Sequence, residues 1–189
     1  MNEENAANPS SANNFLDEKL FKSRSISIFG QINEKIARST AEKLLALSAE
    51  SDEAITIFIS SPGGHVESGD VIYDIIKFIK PEVKVVGTGW VASAATNIFL
   101  AAKKENRFSL PNTRYLVHQP SGGYQGQVTD IEIQTNEIKK TKNRLNEIYA
   151  KHTGKKINDV SSIMERDKYF SPEEAIKFGL IDKIVESRK

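Results

Sequence analysis

A chain of 189 residues fits one domain around a single core, burying about two-thirds of the surface its unfolded form exposes. Its 39% apolar and 27% charged residues, with a net charge of +1, exclude a highly charged disordered chain and give no electrostatic footprint for nucleic acid. The absence of cysteine excludes disulfides, thiolate zinc sites and a cysteine nucleophile, and is compatible with a reducing cytosol.

The first fourteen residues, MNEENAANPSSANN, lack the basic start and apolar core of a secretory signal. They predict a disordered polar tail, which places the single domain at 15–189. No apolar run reaches the eighteen or so residues needed to span a bilayer, so a cytoplasmic protein without a membrane partner is expected. SISIF at 25–29 alternates and is β-branched, as a strand should be, and Gly30 closes it. Ala41, Leu44, Leu45, Leu47 and Ala49 supply an apolar stripe for a helix from about Asn33 or Ser39 to Ala49. AITIFIS at 54–60 is the near-continuous run of a strand buried on both faces. SPGG at 61–64 is a tight turn, joining a residue of fixed φ to two that tolerate positive φ.

Val66, Val71, Ile72, Ile75, Ile76 and Ile79 then recur near helical spacing up to Pro81. VKVVGTG at 83–89 reads as a strand and SAATNIFLAAK from Ser93 as a helix. Strand and helix alternate, which predicts right-handed crossovers and an α/β fold with a largely parallel sheet. RYLVHQP at 114–120 is a strand ended by Pro120, and SGGYQGQ at 121–127 a flexible loop or extended segment.

A long helix begins near Thr129, with Ile131, Ile138, Leu145, Ile148 and Tyr149 on one face, and ends where Gly154 can take the left-handed cap. Two readings of it stand: it projects to pack on another subunit, or it lies on its own core. Its Lys139, Lys140, Lys142 and Arg144 are surrounded by Glu132, Glu137 and Glu147, a solvated face and no phosphate track. A short helix near Ile157–Met164 precedes SPEEA at 171–175. There Ser171 is a cap, Pro172 the first helical residue and Glu174 the reciprocal partner. FGLIDKIV at 178–185 supplies a glycine stop and a last strand.

In open α/β sheets reacting groups gather beyond the carboxyl ends of strands, where SPGGH, GWVASAA and VHQP all fall. Ser93 offers a hydroxyl at a strand-to-helix turn, and the small residues around it serve either close helix packing or the approach of a substrate carbonyl. A serine nucleophile needs a general base. Of three histidines, His152 suits a helix C-terminus as a cation, His65 suits a helix start, and His118, at a strand end, is the best-placed base. For the orienting acid, Asp130 and Asp159 lie where helix capping explains them, whereas Asp167 sits between elements. Its competing reading is a salt bridge to Arg166 or Lys168. Gly64 and Ala94 can supply backbone N–H groups to an oxyanion. No Walker loop and no metal-ligand spacing occurs, so neither cofactor nor metal is expected.

Four segments in order, SPGGHVESGDVIYD, VASAATNIFLAA, RFSLPNTRYLVHQPSGGYQGQVTDIEIQTNEI and ERDKYFSPEEAIKFGLIDKI, resemble the ClpP family, the proteolytic subunits of ATP-dependent Clp proteases. The likeness runs from about Ser25 to Val185. It implies a crotonase-like α/β fold with a protruding handle at about 121–153. It also implies serine endopeptidase activity on unfolded polypeptides inside a chamber of two stacked heptameric rings, homomeric or mixed with a paralogue, fed by an AAA+ ATPase unfoldase. The family's nucleophile, base and acid match Ser93, His118 and Asp167, with Gly64 and Ala94 as oxyanion donors.

The resemblance further implies a strand over Gly122, Gly123, Tyr124, Gln125 and Gly126 that binds extended substrate, and a ring-contact role for Glu165 and Arg166. The chain departs from the family at Ala94 and Ala95, where Met-Gly usually follows the serine, at Trp90, and over the first forty residues. These departures motivate a second reading as a structural or weakly active ring partner. A crotonase-type acyl-CoA enzyme, sharing the oxyanion donors without the relay, is the third.

Overall fold

A computed structural model describes residues 9–187. Helix α1, Pro9–Lys22, begins inside the expected tail, which is therefore no tail beyond residue 8; residues 1–8 lie outside the described residues. After it come β1 (Ser25–Phe29), α2 (Glu34–Glu50), β2 (Ile55–Ser61), α3 (Val66–Phe78) and β3 (Val83–Ala92). Next are α4 (Ala94–Leu100), β4 (Arg107–Ser109), β5 (Arg114–Val117) and α5 (Val128–Thr153), then α6 (Ile157–Ile163), β6 (Lys168–Phe170), α7 (Pro172–Phe178) and β7 (Lys183–Ile184).

The strands form one sheet in the order β1-β2-β3-β4-β7, parallel throughout, as the β/α alternation requires. β2 alternates fully and partly buried residues instead of burying both faces equally, because only one face meets the core of Ile55, Ile57 and Ile59. β3 outruns its expected end at Gly89 by three residues and divides its partners. Val85–Gly87 pair with Arg107–Ser109, whereas Trp90–Ala92 pair with Arg114–Leu116 of β5. β5 is in turn antiparallel to β6.

Local signals hold the helix ends. Asn33 caps α2 through Ile36 N, Ser171 and Glu174 form the reciprocal box at α7, and Gly154 and Gly179 take left-handed caps. Asp130 and Asp159 do not cap: they lie in the first turns of α5 and α6, whose cap positions are Gln127 and Lys156, so their stabilisation is charge against the helix dipole. Of α5's 26 residues only Leu145, Asn146 and Tyr149 are buried; Val128, Ile131, Ile133 and Ile138 stand in solvent, so the helix projects from its own core.

Arg107 fastens the far side. It is 1% exposed, and its guanidinium donates to the carbonyls of His152, Gly179 and Leu180, the carboxyl ends of α5 and α7. His152 is not the cation the sequence suggests. Burial, helped by Lys77, Arg107 and Lys151, pushes its pKa down to about 4, and its neutral Nε2 accepts from the Tyr73 hydroxyl at 2.7 Å. Among the described residues no helix is long and apolar enough to cross a membrane, and no cluster of three or more His, Asp or Glu could hold a metal.

The unfolded chain binds a proton at His152 below its ordinary pKa of 6.5, which the folded chain refuses until about 4. The neutral pair therefore contributes fully above 6.5 and is lost as pH falls through that window. In thermal unfolding scans the margin of the wild type over His152→Gln should be constant above pH 7 and shrink steadily toward pH 4.5; a constant margin would refute the neutral pair.

Candidate active site

The register of three strands assembles the site. Ala92 pairs with Leu116, and the Ser93 N–H donates to the Leu116 carbonyl at 3.0 Å, so Ser93 lies beside the end of β5. Val117 pairs with Lys168 across the antiparallel ladder, which sets His118 opposite Asp167. The Ser93 hydroxyl donates to His118 Nε2 at 2.8 Å, and His118 Nδ1 donates to Asp167 Oδ1 at 3.0 Å. A carboxylate only accepts, so Asp167 fixes the tautomer that leaves Nε2 free to take the serine proton. The pairing of Asp167 with Arg166 or Lys168 gives way to this contact.

Ser93 itself sits at φ 55, ψ −124, between the last residue of β3 and the first of α4. A non-glycine residue pays about 1–3 kcal/mol for such backbone. The sharp turn projects the side chain out of the sheet, the geometry of a nucleophile elbow. His118, one residue beyond β5, is held by its neighbour: the Gln119 N–H donates to the Met164 carbonyl at 2.6 Å, and its side-chain amide donates to the Glu165 carbonyl at 2.8 Å. Glu165 also accepts from Lys142 of α5 at 2.7 Å, which holds its carboxyl below the usual range.

The SPGG turn lies against the elbow. A Cβ on Gly63 would come within 2.6 Å of Ser93 Cβ and 3.0 Å of Ala94 N, and its φ of 87 favours glycine as well. Flanking bonds leave Gly64 unspent: Ile32 N–H donates to Gly63 O and His65 N–H to Ile32 O, and among the described residues the Gly64 and Ala94 N–H groups have no acceptor. His65 stays apart from the row, its Nδ1 on the Ser68 hydroxyl at 2.8 Å and its Nε2 beside Glu67.

Residues 121–127 form no strand, and Gly122, Gly123, Tyr124, Gln125 and Gly126 are exposed. The reason is elementary: a strand exists through its ladder, and this chain offers that segment no partner. Glu165 is engaged within the chain, while Arg166 is exposed on the loop before β6. Trp90 is exposed on β3 opposite Arg114, and Ala94 and Ala95 are buried. Sequence reasoning missed Asn97 and Tyr149 as site residues; both line a cavity with Ser93 and His118. Tyr149 was legible only as part of α5's apolar stripe, and nothing in the helical pattern of α4 marks Asn97.

Comparison with known proteins gives a consistent result. A family profile described as Clp protease matches residues 9–188. The chain is 53% identical over 172 residues to ATP-dependent Clp protease proteolytic subunit 3 of Rhizobium etli, covering 91% of this chain and 89% of that one. It is 48% identical to proteolytic subunit 2 of Pseudomonas aeruginosa, over 92% of this chain and 87% of the other. The solved structure of ClpP1 from Listeria monocytogenes superposes with a TM-score of 0.83 at 48% identity, covering 92% of this chain and 97% of that chain. Likeness in sequence and in fold spans the elbow, the glycine turn and the strands that align them, and the chain belongs to the Clp protease family.

Proposed function

We propose that this chain is a serine endopeptidase that cuts unfolded polypeptides, with Ser93 as nucleophile, His118 as general base and Asp167 as the acid that orients it. The observation that carries the reading is the hydrogen-bonded row from Ser93 Oγ through both imidazole nitrogens to Asp167, starting from a strained elbow. As Oγ attacks the peptide carbonyl, its proton passes to His118 Nε2, and Asp167 stabilises the imidazolium through Nδ1. The carbonyl oxygen gains the charge and is met by the unspent N–H groups of Gly64 and Ala94. Collapse breaks the C–N bond, His118 returns the proton to the leaving amine, and water repeats the sequence on the acyl-enzyme.

The exposed backbone of 122–126 supports a role in pairing with an extended substrate as a strand. Assembly into stacked rings, homomeric or mixed with a paralogue, is supported by α5. Val128, 74% exposed, with Ile131 and Ile138 makes an exposed apolar face, and Glu165, held by Lys142 of the same helix, and Arg166 lie on the loop before β6. An AAA+ unfoldase belongs to the same reading, since the proteolytic subunits this chain resembles are those of ATP-dependent proteases.

Ser93→Ala should lower peptide hydrolysis by about 10⁴-fold and abolish labelling by a fluorophosphonate while leaving native mass unchanged. Near-normal turnover by this variant would refute the nucleophile. An unlabelled wild type that restores activity only to an added paralogue would favour the structural-partner reading instead. Val128→Glu should cut the native mass to that of smaller species without lowering the thermal midpoint of the domain, because its side chain stands in solvent within the single chain; an undiminished assembly would remove α5's apolar face from the interface.

A further inference from the structure

The cavity beside Ser93 is small. Ser93, Ala94 and His118 line it together with Asn97, Leu145 and Tyr149. A side chain on the residue whose carbonyl Ser93 attacks would enter there. The free space is about 20 Å³, room for about one water and hence for a methyl group, while a leucine side chain has four carbons.

Two features keep it small. Tyr149 is 2% exposed, and with Leu145 and Asn146 it makes up the whole buried surface of α5, so the root of that helix is wedged under the elbow. Burial pushes its phenol well above the ordinary range, so the ring stays neutral in place, and the Thr96 hydroxyl lies beside it. Asn97, also 2% exposed, is oriented by charge: its amide N–H donates to Asp70 Oδ1 at 3.2 Å, and Arg144 holds Asp70 Oδ2 at 2.6 Å. That leaves Asn97 Oδ1 buried with no donor.

We propose that Tyr149 restricts this peptidase to cleavage after small residues, alanine, serine or glycine. The inference rests on Ser93 being the nucleophile, and the test separates the two. Peptide boronates that differ only in carrying the alanine or the leucine side chain next to boron bind by forming a B–O bond to Ser93. The hydroxyl proton passes to His118 and no bond at boron breaks. On the assembled protein each is titrated against fluorophosphonate labelling of Ser93.

The alanine-type boronate should block labelling at a concentration at least tenfold below the leucine type. Tyr149→Ala should move that ratio at least tenfold toward leucine, and Tyr149→Leu should move it the same way should the alanine variant fail to fold. A wild type that takes the leucine type equally well or better overturns the inference. So does a ratio unchanged in either folded variant, and should neither fold, the wild-type ratio decides. A wild type that the fluorophosphonate does not label overturns the nucleophile itself, and the inference with it.

Discussion

The divided partnership of β3 is the constraint on which the site depends. Its first half pairs with β4 and its last three residues with β5, both on the edge opposite β2, so the chain between those two strands runs on along that edge past Gly87. There the Leu110 N–H and the Thr113 hydroxyl both donate to the Gly87 carbonyl, and a Cβ on Gly87 would come within 2.5 Å of the Tyr115 hydroxyl. Slipping β5 by one residue would reverse which of its side chains face inward and would part Ser93 from the strand end that carries His118. Arg107 steadies the other branch, binding β4 to the ends of two helices through three carbonyls. The alignment of Ser93, His118 and Asp167 is thus a by-product of ladder register.

Small residues around Ser93 serve packing and chemistry together. Gly69 of α3 meets Ala94 closely, since a Cβ there would lie 3.3 Å from Ala94 Cβ, and Ala95 is fully buried. The same thinness lets Gly63 lie against the elbow. Close helix contact and an elbow open on the glycine-turn side are therefore met by the same small residues, and Ala94 and Ala95 keep their backbone N–H groups.

The sequence carried what local chemistry decides. SISIF, AITIFIS and the caps at Asn33, Ser171, Gly154 and Gly179 each announce themselves through side chains within a few residues. Ser93, His118 and Asp167 were legible as candidates by residue type and placement at element ends, but their meeting depends on long-range register that no local pattern encodes. β4 and β6, three residues each, are too short for alternation to show. α1 hid in a polar segment whose apolar residues Phe15, Leu16 and Phe21 remain exposed in the single chain. His152 was misjudged because the dipole argument sees the helix end and not the burial and neighbouring cations that keep the ring neutral.

What one chain leaves incomplete is concentrated on one side. Asp167 is 57% exposed, and in the proposed role it would stabilise the His118 imidazolium more effectively away from water. The backbone of 121–127, which has no strand partner, and the exposed apolar face of α5 precede it in the chain, and α5 is joined to its loop physically. Lys142 of α5 holds Glu165, Glu165 holds Gln119, and these two residues adjoin the loop of Asp167 and the base His118. Whatever seats the outer half of α5 therefore bears on the row of Ser93, His118 and Asp167 through one ion pair and the amide of one glutamine. That connection is short enough for burial of the helix and alignment of the base to be a single event.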